Sequence, residues 1–102
     1  MGNYVFAYTG GSMSSTPEEQ EAAMQAWGQW FGTLGDAVVE GGAPFGPSTA
    51  VHADGSTGAT SAGLSGYSII QADSLELAAK LAGGCPVLDN GGIVEVYESI
   101  PM

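Results

Sequence analysis

The chain opens on a strand with no wet side. Asn3 to Tyr8 (NYVFAY) is aromatic and β-branched, and it closes on Thr9, Gly10 and Gly11, the composition of a strand delivered into a turn. Side chains alternate across a strand, so Tyr4, Phe6 and Tyr8 share one face while Val5 and Ala7 share the other. A strand meant to face water on one side alternates apolar with polar residues; this one predicts burial on both. Whatever sheet it joins needs two covers.

The remaining elements supply one. Thr16, Pro17 and Glu19 combine a cap, a proline at the first helical position and a capping-box acid, which predicts a helix. Ala23, Trp27, Trp30, Phe31 and Leu34 fall on one face of it, and Gly35 stops it. Ala37 to Glu40 reads as a short strand that Gly41, Gly42, Pro44, Gly46 and Pro47 turn or bulge, and Ser48 to His52 reads as a return strand at an edge. Residues 53–65 are mostly Gly, Ser, Thr and Ala after an Asp54-Gly55 turn signal, so a flexible loop is expected there. Gly66 to Ala72 is the next strand. Asp73 and Glu76 repeat the cap-then-acid pattern before a helix through Leu75, Leu77, Ala78, Leu81 and Ala82, ended by Gly83 and Gly84. Cys85-Pro86 marks a break, and Ile93 to Glu98 is the last strand.

The 102 residues, 44% hydrophobic, suit one domain, and the order βαββαβ predicts an α+β, ferredoxin-like antiparallel sheet with both helices on one face. No helix is left for the second face. A copy of that face related by a twofold axis is the simplest cover, and an exposed aromatic face for a ligand is the alternative.

Charge narrows the partners. Eleven carboxylates face a single basic residue, Lys80, for a formal net charge of −10. A phosphate backbone is bound by clustered Lys and Arg, so a nucleic-acid partner is excluded, as is an anionic membrane surface. Self-repulsion for solubility accounts for the acids. The lone cysteine, Cys85, has no internal disulfide partner, and no secretory signal or membrane-spanning apolar run is present. A cytoplasmic location is expected, with no metal and no cofactor.

From Gly66 to Ile70 (GYSII), Asp73 to Ala79 (DSLELAA), Cys85-Pro86 and Val94 to Tyr97 (VEVY), together with Asn3 to Tyr8 and Gly42 to Pro47 (GAPFGP), the chain resembles the YCII-related family. The resemblance implies a dimeric α/β-barrel, two sheets packed face to face around a cavity. Some members of that family have a proposed active site with a histidine on the first helix and an aspartate just after the second; one branch is a dehydrochlorinase acting on a chlorinated hydroquinone. Counting back from Gly35 places Met24 at the histidine position, and Cys85-Pro86 corresponds to the aspartate-proline pair. Neither proposed catalytic residue is present, and methionine transfers no proton.

His52, the sole histidine, is the default acid-base candidate, although a histidine on an edge strand commonly has no such role. Cys85 follows a helix C-terminus, the negative pole, which opposes a reactive thiolate, so burial as a small apolar residue is expected. Trp27, Trp30 and Phe31 have the spacing of core residues. If Val94 and Val96 face the helices, Glu95 and Tyr97 face the partner sheet or a cavity, where Glu95 is a candidate base or a structural acceptor. The expectation is a homodimer that binds a small uncharged or aromatic ligand in a cavity lined by Tyr8, Tyr67, Glu95 and Tyr97. Proton-transfer catalysis on an aromatic substrate and a purely structural or regulatory dimer are the alternatives.

Overall fold

In the computed structural model, which describes residues 2–10 and 16–101, eight elements follow one another. They are β1 (Gly2–Thr9), α1 (Pro17–Leu34), β2 (Val38–Pro44), β3 (Ala50–Val51), β4 (Thr57–Gly58), β5 (Leu64–Ala72), α2 (Leu75–Ala82) and β6 (Ile93–Ser99). Short 3₁₀ turns at Gly35–Ala37 and Pro86–Asn90 link α1 to β2 and lead into β6. The main sheet has the order β2-β5-β1-β6, antiparallel throughout, so the doubly apolar β1 lies inside it. This is an α+β fold compatible with a ferredoxin-like arrangement.

One face of the sheet meets both helices. Tyr4, Phe6 and Tyr8 of β1 and Ile70 and Ala72 of β5 are buried in one cluster with Trp30 of α1 and Ala78 and Ala82 of α2, while Trp27, Phe31, Leu34, Val94 and Val96 pack against it. Trp30 ties the layers together. Its ring stacks on Phe6 at a centroid distance of 6.2 Å, and its indole N–H donates to the Leu81 carbonyl of α2 at 3.1 Å. A buried aromatic contact of this kind adds about 1 kcal/mol to its area burial.

The helix starts follow local chemistry. Thr16 Oγ1 accepts from the Glu19 N–H at 3.1 Å, as the capping box predicts. At α2 the cap is Ser74 rather than Asp73, its Oγ accepting from the Leu77 N–H at 3.1 Å. A serine one residue closer to the helix serves the orphan donor equally well.

Two segments differ from the sequence expectation. The segment 48–52 forms no edge strand of the main sheet, and 53–65 is not simply a loop: β3 and β4 pair with each other as a separate hairpin. The small polar residues that read as loop are what fasten it. Asp54 Oδ1 accepts from the Ser56 N–H at 2.9 Å and from Ser56 Oγ at 2.7 Å, and Thr49 Oγ1 donates to the Gly58 carbonyl at 3.1 Å. Strand β2, expected over 37–40, runs on to Pro44 because two register shifts absorb its glycines. Gly42 sits at φ 75°, and a Cβ there would collide with the Tyr67 carbonyl of β5.

Among the described residues no helix covers the other face. Cross-strand partners place Glu40, Ile69, Val5 and Tyr97 in one row and Ala43, Tyr67, Ala7 and Glu95 in the next, on the side away from the cluster. The molecule is a slab of 44 × 42 × 19 Å, the thickness of one sheet and one helix layer. It exposes 6859 Å², against about 5,300 Å² for a compact monomer of this mass.

Gly42→Ala is expected to cost at least about 2 kcal/mol, since positive φ and a backbone collision act together. Gly63→Ala, at φ 64° in open space, is the control with the dihedral penalty alone, about 1 kcal/mol. Chemical denaturation of the two variants beside the parent chain checks the difference.

Candidate functional site

The groove between α1 and the bulged strand follows from missing side chains. On the exposed flank of α1, Ala23, Met24, Trp27, Gly28 and Phe31 form one wall; Gly41, Gly42, Ala43 and Pro44 of β2 form the other, with Tyr8, Ser65, Gly66, Tyr67 and Ser68 as the floor. The cavity encloses about 490 Å³, within the range of small-molecule sites. Gly28 carries no side chain to fill it, and the bulge at Gly41 and Gly42 moves the β2 backbone out of register with β5.

Aromatic rings fix the helical wall. Trp27 meets Tyr8 edge to face at 5.0 Å and 76°, and leans on Phe31 at 6.0 Å. Beneath them runs a buried hydrogen-bond chain: Tyr8 Oη donates to Ser68 Oγ at 2.8 Å, and Ser68 Oγ donates to the Gly41 carbonyl at 2.7 Å. The chain satisfies the carbonyl that the bulge releases from the ladder, so Ser68, wholly buried, holds the cavity wall in place. Burial pushes the Tyr8 phenol well above its ordinary value, the Ser68 hydrogen bond opposing and Cys85 adding slightly. It stays neutral.

The residues named from sequence divide between the two faces. Tyr8 lines the cavity, and Tyr67 borders it from a strand position whose side chain lies on the other sheet face. The Tyr67 hydroxyl, however, donates to Glu40 Oε1 at 2.7 Å, and its ring stacks with Phe45 at 5.7 Å and 23°. Glu95 and Tyr97 lie on the uncovered sheet face, opposite Val94 and Val96, where the Tyr97 hydroxyl donates to Glu95 Oε2 at 3.0 Å. They do not join Tyr8. The carboxylates that accept from Tyr67 and Tyr97 raise both phenols. Tyr67 lies diagonally across from Glu40, and Tyr97 two residues along β6 from Glu95, so a Tyr-Glu pair flanks either side of Val5, Ala7 and Ile69.

His52 is exposed on the β3–β4 hairpin, its backbone N–H bonded to the Ser56 carbonyl at 2.8 Å, and it lines no part of the cavity. Met24 is a cavity-wall residue with 74% of its surface exposed. Cys85 is 2% exposed among the core residues and is not part of the cavity lining. Burial pushes its thiol from 9.0 up to about 11; the Asp89 carboxylate adds, and a backbone hydrogen bond at Val87 opposes. Among the described residues no three His, Cys, Asp or Glu side chains converge on a point that could hold a metal ion, and no helix is long and apolar enough to cross a membrane.

Ser68, Gly41, Gly42 and Gly28 escape a motif-based reading. Ser68 leaves a trace: Gly66, Ser68, Ile70 and Ala72 share the buried face of β5, and a lone hydroxyl among them demands a partner. No family model, curated protein or solved structure matches the chain.

Alkaline pH should expose the buried thiol. The unfolded Cys85 ionises near 9.0 and the folded one near 11, so unfolding releases its proton between those values and stability falls as pH rises through them. The raised Tyr8 acts in the same direction at higher pH. Cys85→Ala should flatten the decline in denaturation midpoint across that window, and the native thiol should resist alkylation at neutral pH until the chain unfolds.

Proposed function

We propose that the chain is a homodimeric domain that binds a small, uncharged aromatic ligand in the groove between α1 and β2. The observation that carries the reading is the 490 Å³ cavity with walls of Trp27, Phe31 and Met24 and one buried polar chain at its floor. An apolar site with a few convergent polar groups suits recognition of a neutral ring. No carboxylate, imidazole or thiol lines it among the described residues, which favours binding over proton-transfer catalysis.

Pairing through the uncovered sheet face accounts for the rest. Val5, Ala7 and Ile69 make a small apolar centre, and the flanking Glu40 and Glu95 carboxylates each already accept a tyrosine hydroxyl. Engaged carboxylates lower the cost of bringing two acidic faces together. The surface in excess of a compact monomer exceeds the roughly 800 Å² per partner of a standard interface, with the hairpin contributing part of it. This reading extends the ferredoxin-like architecture to the dimeric α/β-barrel that the YCII-related resemblance implies. It leaves aside the family's histidine and aspartate, whose positions hold Met24 and Cys85. A structural or regulatory dimer, with the groove closed by side-chain movement, is the competing reading.

Light scattering at micromolar concentration is expected to give the mass of two chains, and Ile69→Asp to give that of one; a monomeric parent chain would remove the sheet-face interface from the model. For the cavity, calorimetric titration with β-naphthol should show saturable binding that Gly28→Leu abolishes. A Cβ at Gly28 meets nothing within 4 Å, and leucine is the better helix former, so this variant fills the groove without unfolding the chain. Binding unchanged by Gly28→Leu would place the ligand elsewhere.

A further inference from the structure

Every side-chain hydroxyl on the cavity lining has already given its proton away. The direction of the buried chain is forced. The Gly41 carbonyl only accepts, so the single proton of Ser68 goes to it; Ser68 Oγ then only accepts, so the single proton of Tyr8 goes to Ser68. Ser65 Oγ donates to the Tyr8 carbonyl at 3.1 Å, and the Tyr67 hydroxyl donates to Glu40. What these hydroxyls offer an occupant is lone pairs, those of Tyr8 Oη foremost.

We propose that this cavity selects neutral aromatic ligands that carry a hydrogen-bond donor, a phenolic hydroxyl in the first instance, and discriminates against ligands that only accept. The inference rests on the binding reading above and specifies its ligand class. A phenol placed against Tyr8 Oη donates into the chain and extends it to phenol, Tyr8, Ser68 and Gly41, each link polarising the next. An ether, ketone or carboxylate in the same place sets lone pair against lone pair and leaves both groups desolvated without a partner. A carboxylate also meets a protein of net charge −10, and an ammonium donor finds no carboxylate on the lining to offset its desolvation. Trp27 is the one lining side chain whose donor, the indole N–H, has no protein acceptor among the described residues. An acceptor ligand held there would be indifferent to Tyr8.

The test compares β-naphthol with its methyl ether by calorimetry on the full chain and on Tyr8→Phe. The ether has the larger apolar surface, so hydrophobic burial alone ranks it first. The proposal expects the reverse in the parent chain, naphthol tighter by roughly tenfold, the worth of one hydrogen bond. Tyr8→Phe should weaken naphthol by a similar factor and leave the ether within about twofold. If the ether binds the parent chain as tightly as naphthol, and Gly28→Leu still abolishes both, the donor rule is overturned while the cavity reading stands. If neither compound binds the parent chain, both fall. The parent-chain comparison decides the matter even where Tyr8→Phe folds poorly.

Discussion

Trp30 is the side chain through which the sheet, α1 and α2 share one core. Its ring lies on Phe6 and meets Tyr8, and its indole N–H reaches the Leu81 carbonyl near the end of α2. The sheet face beneath carries Tyr4, Phe6 and Tyr8 in a row, large side chains that require something equally large above them. One tryptophan supplies that volume and spends its only polar atom on the second helix. Gly84 lies close by, where a Cβ would approach Trp30 Cδ1 to 3.2 Å, so the turn after α2 is shaped around the same ring.

With that core fixed on β1, β5 and both helices, the irregularity of the fold collects on β2. The strand makes two register shifts, frees the Gly41 carbonyl and recovers it through Ser68. The recovered bond links a backbone defect to the site, because the atoms that repair the bulge form the polar floor of the cavity.

Legibility in the sequence followed the range of the forces involved. The Thr16 cap, the helix stripe and the alternation of β5 are local, and the structure places them within a residue or two of expectation. The sidedness of β6 was readable too, since Val94 and Val96 alternate with Glu95 and Tyr97. The extent of β2 was not, because Gly41, Gly42 and Pro44 are breakers locally and become strand only when β5 lies alongside to accept the bulge. The hairpin at Ala50–Val51 and Thr57–Gly58 hides for the opposite reason: its bonds come from Ser, Thr and Asp side chains that equally suit a loop. The cavity is hardest to read, being defined largely by glycines, and a space leaves no residue to mark it.

The two bulges in β2 also bear on how the sheet ends. A straight outer strand offers its unpaired amides to any passing chain, and growth along that direction has no natural stop. Here one margin is kinked twice and finishes at Pro44, which has no N–H to offer, and the other, β6, carries Glu95 and Glu98. Fibre-like extension is thus blunted at both margins. The same irregularity that opens a space beside α1 also makes that margin of the sheet a poor template for a further strand.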